Sequence, residues 1–430
     1  MKNWDVKKLR DLADIRVSNV DKKIYPSERP VKLCNYMDVY TNEYITDSIQ
    51  FMEGSANDAE IERFGLNIGD VIITKDSETP DDIGIPTVIH EQIDNLVCGY
   101  HLALIRPDNE KLDSIFLSKY LSTSRVANYF ALHASGSTRF GLPIGAIESV
   151  EILTPPKKEQ EKIAEVLSTI DRVIAQTEAI IAKQQRIKTG LMQDLLTRGI
   201  DENGNIRSEA THEFKDSAIG RIPVEWNVEL LDKLGERGSG HTPNKSHPNY
   251  WNGGIKWVSL ADSSKLDQIY IFDTDKEISI QGLKNSSAVL HPKGTVILSR
   301  DAGVGKSAIL GTKMAVSQHF IVWRCGTNLN NYYLYYWLQK EKPKFEGIAS
   351  GSTIVTIGLQ FFRQYQIAIP KLIDEQNLIA EIIKKSDESI SKHRCSLEKL
   401  KRRKTGLMQD LLTGKVRVTN LLKEREPASL

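Results

Sequence analysis

Two long stretches of the chain carry apolar residues alternately three and four positions apart. This spacing is the heptad seam of a coiled coil, in which one face of a helix packs against a partner helix. Because neither helix buries its seam alone, we predict that the two pair antiparallel within one chain. The predicted apolar seam residues are Leu167, Ile170, Ile174, Ile181, Leu191 and Leu195 in the first stretch, and Ile383, Ile390, Leu397, Leu400, Leu407 and Leu411 in the second.

Polar residues interrupt both seams. Such residues commonly fix the register and the partner of a coiled coil rather than add stability. They are Thr177, Gln184 and Lys188 in the first stretch and Ser386, His393 and Lys404 in the second.

A region of short mixed elements precedes each long helix. The β-branched runs GDVIITKD, Gly69 to Asp76, and GTVILSRD, Gly294 to Asp301, predict strands that begin after a turn. A helix-like segment follows each of them, and each region ends on a strand closed by proline. The pattern predicts an α/β (α+β) fold class, with two similar mixed globular units separated by an antiparallel two-helix coiled coil.

The two halves of the chain are copies of one another. The string KTGLMQDLLT occurs at Lys188 to Thr197 and again, unchanged, at Lys404 to Thr413. Glu159-Gln160 and Glu375-Gln376 stand at the same spacing of 216 residues. An identical ten-residue string indicates an internal duplication, and a repeat of half the chain is too long for a solenoid.

These features divide the chain into six predicted segments. The boundaries are 1–155 and 223–370 for the globular units, 156–198 and 371–414 for the helices, 199–222 for a linker and 415–430 for a tail. The linker is polar and contains Gly, Asn and Ser, as connecting segments do. The tail ends on polar residues, and we expect it to be mobile.

Composition limits the class of protein. The chain has 430 residues, 40% hydrophobic and 26% charged, which is typical of globular domains, and its net charge of +1 excludes a strongly basic nucleic-acid binder. The four cysteines lie far apart without a CxxC pair, so we expect no disulfide framework or zinc site, and a cytoplasmic location fits. Neither a signal peptide nor a membrane span is expected, because no long apolar run occurs.

One stretch resembles a nucleotide-binding loop. Arg300 to Ser307 reads RDAGVGKS, but a Walker A loop needs a glycine where Arg300 stands. The residues after Ser307 also indicate a strand and a turn rather than a helix. A glycine-rich turn between strands is the preferred interpretation.

No complete catalytic motif is present. The sequence lacks the N/D-P-P-Y/F tetrapeptide of methyltransferases, a GxSxG elbow and an HExxH pair. His101 and His319 lie in strand-like runs, where a structural role is commoner than a ligand role. The aromatic run Tyr332 to Trp337 is more typical of a buried helix face than of base stacking. We expect a binder or scaffold, not an enzyme.

Two similar units held apart by a helical rod suit a split DNA target. The loop ASGST occurs in each unit, and its small polar residues suit close approach to phosphate and groove. The candidate DNA contacts are Lys75, Ser135, Gly136, Ser137, Thr138 and Arg139 in the first unit, and Arg300, Lys306, Ser350, Gly351, Ser352 and Thr353 in the second.

Two observations compete with these assignments. Lys75 and Arg300 are each followed by an aspartate, so a structural ion pair is an alternative role for both. From Asp47 to Asp94 the chain has twelve acidic residues and two basic ones. The negative charge of that span would repel the DNA phosphates. Any contact of this region with DNA must therefore be confined to a few residues or shared with a partner.

The motif pair EQ-x-x-IA and KTGLMQxLLT, placed after each of two variable units, resembles the specificity subunit of type I restriction-modification systems. The phrase DSAIGRIPVEW, Asp216 to Trp226, is similar to the usual lead-in to the second recognition domain. The resemblance covers essentially the whole chain. It implies two target recognition domains that read an asymmetric bipartite site in double-stranded DNA, with the two helices setting the spacer.

The resemblance also implies partner proteins. Two modification (methyltransferase) subunits would dock on the chain, and restriction (endonuclease/translocase) subunits would join for cleavage. S-adenosylmethionine, ATP and Mg would belong to those partners, and this chain would hold no cofactor. Two other classes remain open: a homodimeric scaffold that binds a protein without DNA, and a P-loop-like nucleotide binder, which tight nucleotide binding by the isolated chain would favour.

Overall fold

The computed structural model of the protein describes residues 4–350 and 355–423. These residues fall into two units. Unit 1 comprises the chain up to Glu178 together with the chain from Cys395 onward, and unit 2 comprises Ala179–Arg394. Each unit therefore combines one globular body with a stretch of each long helix.

The globular body of unit 1 contains short strands and short helices. The strands are β1 Asp5–Lys8, β2 Ala13–Val17, β3 Arg29–Cys34, β4 Tyr44–Ile45, β5 Met52–Ala56, β6 Val71–Thr74, β7 Asp76–Ser77, β8 Pro86–Ile89, β9 Leu96–Cys98, β10 Leu102–Pro107, β11 Phe140–Gly141 and β12 Glu151–Thr154. The helices are α1 Tyr36–Thr41, α2 Asp58–Phe64, α3 Ser114–Leu121, α4 Ser124–His133, α5 Ile144–Glu148 and the long α6 Lys157–Leu195.

The globular body of unit 2 also contains short strands and helices. Its strands are β13 Phe214–Ser217, β14 Gly220–Pro223, β15 Trp226–Leu230, β16 Gly235–Ser239, β17 Trp251–Val258, β18 Tyr270–Ile271, β19 Lys276–Ile278, β20 Val296–Ser299, β21 Ser307–Leu310, β22 Ala315–Val316, β23 Phe320–Cys325 and β24 Gln366–Pro370. The helices are α7 Leu231–Leu234, α8 Ile280–Lys284, α9 Asn331–Ile348, α10 Leu359–Arg363 and the long α11 Ile373–Leu412; α12 Thr419–Lys423 belongs to unit 1.

The main sheets of the two units share one topology. Their strand orders are β2-β10-β6-β8-β4 and β16-β23-β20-β21-β18, antiparallel except for the last pair, which is parallel in both. Each unit adds a three-stranded sheet, β5-β3-β9 in unit 1 and β19-β17-β22 in unit 2. The prediction of two similar units of mixed helix and strand is confirmed.

The central strand of each main sheet is apolar on both faces because both faces are covered. In β6, Val71 and Ile73 join a buried cluster with Phe116 of α3, whereas Ile72 joins a second cluster with Leu33 of β3. Strand β20 divides its residues between two clusters in the same way. An uninterrupted β-branched run is the sequence pattern of such a strand.

In unit 2 the two long helices run antiparallel. Lys188 Nζ lies 2.5 Å from Asp387 Oδ1, and Gln184 Nε2 donates to the Ser389 hydroxyl at 3.2 Å. Residue numbers therefore rise along α6 while they fall along α11. The apolar seam at this level, including Ile383, belongs to the main core of the unit.

Unit 1 shows the same antiparallel arrangement. Glu178 meets Lys401 at 2.9 Å, and Asp171 meets Lys404 at 2.8 Å. Leu167 lies in the same buried cluster as the seam leucines near the end of α11. The predicted antiparallel coiled coil is confirmed. None of the helices in residues 4–350 and 355–423 has an apolar stretch of membrane-spanning length.

The polar seam lysines are parts of ion-pair clusters. In each unit the lysine of KTGLMQDLLT faces an aspartate of the other helix that also accepts a hydrogen bond from a tyrosine of the globular body. Tyr336 donates to Asp387 at 3.0 Å, and Tyr44 donates to Asp171 at 2.8 Å. The repeated lysine thus ties the helix pair to the body of each unit.

The glutamate of the second EQ pair, Glu375 at the start of α11, joins three segments of unit 2 by polar contacts. Glu375 accepts a hydrogen bond from the Trp226 indole at 3.1 Å and lies 2.5 Å from the guanidinium of Arg207. Arg207 is only 7% exposed. It stands in the segment predicted to be a linker, and strands β13 and β14 of the same stretch form a hairpin. The connection between α6 and β15 is therefore structured and is not an extended flexible linker.

The start of α6 has the equivalent cluster in unit 1. Glu159 lies 2.6 Å from the guanidinium of Arg417 and accepts a hydrogen bond from the Trp4 indole at 3.4 Å. Val418 is buried in the core of the unit. The expectation of a mobile tail is therefore wrong for residues 415–423, because this segment packs on unit 1 through a buried valine and an ion pair.

Replacing Glu375 with alanine will lower the stability of unit 2 by about 3–5 kcal/mol, because it leaves the buried Arg207 guanidinium without its carboxylate. Urea unfolding followed by tryptophan fluorescence measures the change. The matched control is Glu381→Ala, which removes an exposed pair with Lys385 on the same helix and should leave the transition in place. Equal shifts from the two variants would contradict this role of Glu375.

Candidate nucleic-acid interface

Arg300, Asp301 and His319 form a cluster at the end of β20 in unit 2. The Asp301 carboxylate accepts a hydrogen bond from His319 Nδ1 at 2.8 Å and lies 3.7 Å from the Arg300 guanidinium. It also accepts a hydrogen bond from the Thr356 hydroxyl. Its side chain is 8% exposed, against 19% for Arg300 and 26% for His319. The carboxylate is the buried centre of the cluster, and the basic groups lie on its solvent side.

Lys75, Asp76 and His101 repeat this arrangement at the end of β6 in unit 1. Asp76 Oδ1 lies 2.7 Å from Lys75 Nζ, and its other oxygen accepts a hydrogen bond from His101 Nδ1. Partial burial raises the pKa of the Asp76 carboxyl, but the Lys75 and His101 hydrogen bonds outweigh it and hold the pKa below its usual value. At neutral pH the carboxylate is ionised and holds both neighbours.

The main chain fixes both clusters in the same way. The Lys75 amide donates to the His101 carbonyl at 2.8 Å, and the Arg300 amide donates to the His319 carbonyl at 3.0 Å. Each histidine lies in the turn that immediately precedes β10 or β23, and not inside the strand as the sequence suggested. His101 has φ +69°, in the left-handed region that histidine adopts more readily than branched residues.

The loop Ser135 to Arg139 is a tight turn fastened beside the unit 1 cluster. Ser135 and Gly141 exchange two main-chain hydrogen bonds of 3.0 and 2.9 Å, and β11 then pairs Gly141 with Asp76. Gly136 has φ +147°, and a Cβ there would lie 2.0 Å from the Arg139 carbonyl oxygen. All five loop residues are exposed. The loop therefore presents Ser137, Thr138 and Arg139 to solvent from a fixed base.

The second ASGST loop starts from an equivalent base in unit 2. Ser350, which is exposed, exchanges two main-chain hydrogen bonds of 3.2 and 3.0 Å with Thr356, and Thr356 bridges to Asp301. The predicted contacts Gly351, Ser352 and Thr353 lie outside the described residues. Thr356 thus links the base of this loop to Asp301, the buried aspartate of the basic cluster.

The basic candidates Lys75, Arg300 and Lys306 have partners within their own unit. Lys75 and Arg300 make the ion pairs that were their alternative role, and Arg300 also donates to the carbonyls of Ile357 at 2.9 Å and Gln318 at 3.2 Å. Lys306 Nζ lies 3.2 Å from the Ser263 carbonyl and hydroxyl oxygens. Their contact with DNA stays a prediction, whereas their ion pairs and hydrogen bonds within each unit are observed.

The Walker-like stretch is a turn between two antiparallel strands. Strand β21 begins at Ser307 and pairs with β20, so a strand stands where a P-loop would continue as a helix. Gly303 and Gly305 have φ of +102° and +83°, which glycine adopts without strain. The interpretation as a glycine-rich turn is confirmed.

The aromatic run on α9 belongs to the core. Tyr333, Tyr335, Tyr336 and Trp337 are each less than 5% exposed and pack in the main cluster of unit 2. The interpretation as the buried face of a helix is confirmed, and these rings are not available for base stacking.

Sequence reasoning considered the two aspartates only as ion-pair partners of Lys75 and Arg300 and did not connect them with the histidines. Asp76 and His101 are 25 residues apart, and Asp301 and His319 are 18 residues apart, so no fixed spacing linked them. The signal was the repetition itself. Both copies place a basic residue and an aspartate after the central strand, and a histidine before the next long strand.

An open cavity of about 690 Å³ lies beside His319 in unit 2. Its wall includes an apolar part, where the Trp251 and Trp257 rings meet edge to face with centroids 5.2 Å apart. Its other lining residues include Lys245, Lys276 and Gln318. The combination of indole rings with ammonium groups suits an anionic ligand that carries flat apolar groups.

The family model for the type I restriction modification DNA specificity domain matches residues 1–186 and 223–402 of the chain. Over 432 residues the chain is 25% identical to a Methanocaldococcus jannaschii protein named as the MjaX specificity subunit of a type I restriction enzyme. The alignment covers 97% of this chain and 94% of that protein.

Two solved structures are similar in fold. The S subunit of a type I restriction-modification system from M. genitalium matches with a TM-score of 0.58 at 14% identity, covering 95% of this chain and 96% of that one. A chain from work on complex assembly and conformational transition of the type I R-M system matches with a TM-score of 0.57 at 15% identity, covering 97% and 99%.

Proposed function

The chain belongs to the family of type I restriction-modification DNA specificity domains, and we propose from this premise that each unit reads one half of an asymmetric bipartite DNA site. It is the specificity component of such a system and not its catalytic component. The predicted segments 1–155 and 223–370 are proposed as the two target recognition domains.

One observation supports this proposal most directly. The same cluster of a basic residue, an aspartate and a histidine occurs in both units, and the turns beside it differ between them. In both units an aspartate, half-buried in unit 1 and buried in unit 2, ties together a basic residue, a histidine and the base of the ASGST loop. The turns beside the cluster differ, since unit 1 has SETPDDIGI from Ser77 to Ile85 and unit 2 has AGVGK from Ala302 to Lys306. A shared frame with different loops is what two readers of different half-sites require.

The exposed loop of unit 1 has the chemistry of a DNA contact. The hydroxyls of Ser137 and Thr138 suit phosphate oxygens, and the exposed Arg139 suits phosphate or the O6 and N7 atoms of guanine. We assign the equivalent role in unit 2 to Ser350, Gly351, Ser352 and Thr353. Lys75, Arg300 and Lys306 are proposed to add positive charge to the two sites.

The acidic turn of unit 1 restricts where phosphate approaches. Glu78, Asp81 and Asp82 lie in that turn, and the Tyr40 hydroxyl donates to Asp82 at 3.0 Å. The equivalent turn of unit 2 contains Lys306 and no acid. The grip of unit 1 on the backbone is therefore confined to its exposed loop, and unit 2 contributes the larger share of the salt-dependent affinity.

The helices have a second role in this proposal, which is to hold partners and set the spacer. Membership of the family implies DNA binding and assembly with other subunits. We propose that two modification subunits dock on α6 and α11, with restriction subunits joining for cleavage. S-adenosylmethionine, ATP and Mg then belong to those partners, in keeping with the missing methyltransferase motifs of this chain.

Genome-wide mapping of methylated bases tests the function. The chain is expressed, in a host without its own methylation, together with the modification subunit whose gene carries an NPPY or NPPF motif. We expect one methylated motif made of two different half-sites around a spacer of fixed length. The control is the modification subunit alone, which should leave no motif. A motif present without this chain, or one that is continuous and symmetric, would overturn the proposal.

A further inference from the structure

We infer that the residue immediately before the histidine of each cluster reads one base pair of the half-site bound by its own unit. This residue is Tyr100, before His101, in unit 1 and Gln318, before His319, in unit 2. This inference rests on the proposed function, since it names a specificity-determining position within the same sites. It is carried by the register of the two sheets, by how each side chain is held, and by the difference in chemistry between them.

The two residues occupy the same place on the shared frame. Ala103 pairs with Val17 in unit 1, and Ile321 pairs with Ser239 in unit 2. Each of these strand residues comes two positions after the histidine of its cluster. The main-chain carbonyl of that histidine accepts a hydrogen bond from the amide of the cluster's basic residue, Lys75 or Arg300. Tyr100 and Gln318 therefore stand at equivalent points of the turn that leads into the second strand of the sheet.

Tyr100 is fixed on the unit 1 cluster. Its amide donates to the Val20 carbonyl at 2.8 Å, and its ring lies on the His101 ring with centroids 4.0 Å apart. Lys22 Nζ lies 5.6 Å from the centroid of the Tyr100 ring. The ring is half-buried, so one part of it is supported by the protein while another part meets solvent beside a cation.

Gln318 is fixed on the unit 2 cluster by different bonds. Its side-chain oxygen accepts a hydrogen bond from the Thr242 hydroxyl at 2.5 Å, and its main-chain carbonyl accepts from Arg300 Nε at 3.2 Å. Its side chain is exposed and forms part of the wall of the cavity beside His319. The carboxamide is thus held at the mouth of a cavity with lysines on its wall, which suits a polyanion.

Both positions lie at the base of the loops proposed to meet DNA. His101 and Gly141 share Asp76 as a neighbour, through a side-chain bond and a strand pair. His319 and Thr356 share Asp301 in the same way. A duplex that contacts the two ASGST loops therefore passes beside the residue that precedes each histidine.

The two side chains suit different bases. A glutamine carboxamide carries a donor and an acceptor in one plane, which fits N6 and N7 of adenine, whereas a tyrosine ring makes apolar contact of the kind that favours the thymine methyl group. The same frame therefore supports different readings in the two units, because the residue at one position differs in hydrogen-bonding capacity. Two units that hold one position in the same place, but carry different side chains there, can read different half-sites and so recognise an asymmetric site.

The test uses the complex of the full chain with its modification subunit and measures methylation at every single-base variant of the motif. Gln318→Ala and the near-isosteric Gln318→Met should lower discrimination at one base pair of one half-site by about 10- to 100-fold. The other half-site should be unchanged. Tyr100→Ala should relax one base pair of the opposite half-site.

The matched control is Gln281→Ala, an exposed glutamine of unit 2 whose side-chain oxygen also accepts a hydrogen bond, from Asn249 at 2.9 Å. It should leave the motif unchanged. A purely structural role for Gln318 would lower methylation of all sequences together, and that result in Gln318→Met would overturn the inference, as would unchanged discrimination in both Gln318 variants. Failure of the proposed function is distinguished by the wild-type complex, which in that case yields no bipartite motif.

Discussion

Exchanging residues 1–155 for the equivalent segment of another family member will change one half of the methylated motif and leave the other half intact. The segment carries the whole Lys75–Asp76–His101 cluster and the exposed loop that ends at Arg139, so every candidate contact of unit 1 moves with it. Each mismatched base pair typically costs about 1–3 kcal/mol, so several mismatches reduce methylation of the old half-site to background.

Residues 1–155 contact the retained helix α6, so the exchanged segment must preserve these contacts. Asp171 of α6 accepts a hydrogen bond from Tyr44 at 2.8 Å and pairs with Lys119 at 2.5 Å, and Glu159 contacts Trp4. The donor segment should keep Trp, Tyr and Lys at these positions. The reciprocal exchange of residues 223–370 is the control, and it should change the opposite half-site. A change in both halves after either exchange would show that the units do not read independently.

Lengthening both long helices by one heptad will abolish methylation at the original spacer. Seven helical residues add ~10.5 Å, which corresponds to about three base pairs at ~3.4 Å each. Sites with the longer spacer become the new targets where the altered DNA twist is accommodated. Methylation mapping with a library of spacer lengths measures the shift, and the half-sites themselves should stay the same.

The structure decides where the heptads belong. α6 ends at Leu195, and Gly199 has φ +68°, so residues added after Thr197 would fall in the ordered connection and not in the helix. Because the helices are antiparallel, one insertion follows Ala179 and the other follows Ser396, near the contact between Glu178 and Lys401. A heptad in α6 alone breaks the match of the seams and is the control. If the doubly lengthened chain, shown to be helical, keeps the original spacer, the modification subunits set the spacing.

Local patterns of the sequence were sufficient for the long helices, for their antiparallel pairing and for the central strands. The heptads around Leu167 and Leu411 predicted the antiparallel pair, because an apolar stripe must be buried and the other copy was available. The β-branched runs predicted the central strands β6 and β20 for the same reason. Duplication of KTGLMQDLLT established two similar units without any knowledge of their strand order.

The candidate sites depended on contacts between residues far apart in the chain. The sequence offered Lys75 and Arg300 as DNA contacts and treated the histidines separately. The fold joins each basic residue to its histidine through an aspartate, which is half-buried in unit 1 and buried in unit 2. Partial or full burial makes that carboxylate the organising group of each cluster, since an ionised acid withdrawn from water needs cationic or hydrogen-bonding partners. No periodic pattern encodes such a cluster.

What the sequence determined by itself was the duplicated architecture, because hydrophobic periodicity and an exact repeat are local properties that survive without coordinates. Only the tertiary structure decided that residues 415–423 pack on unit 1, where Arg417 meets Glu159, and that Arg207 pairs with Glu375 in unit 2. It alone also brought Tyr100 and Gln318 to one equivalent point of two different loops. These placements arise from strand register and from the pairing of buried charges, which act between segments separated by many residues and leave no spacing in the sequence to detect.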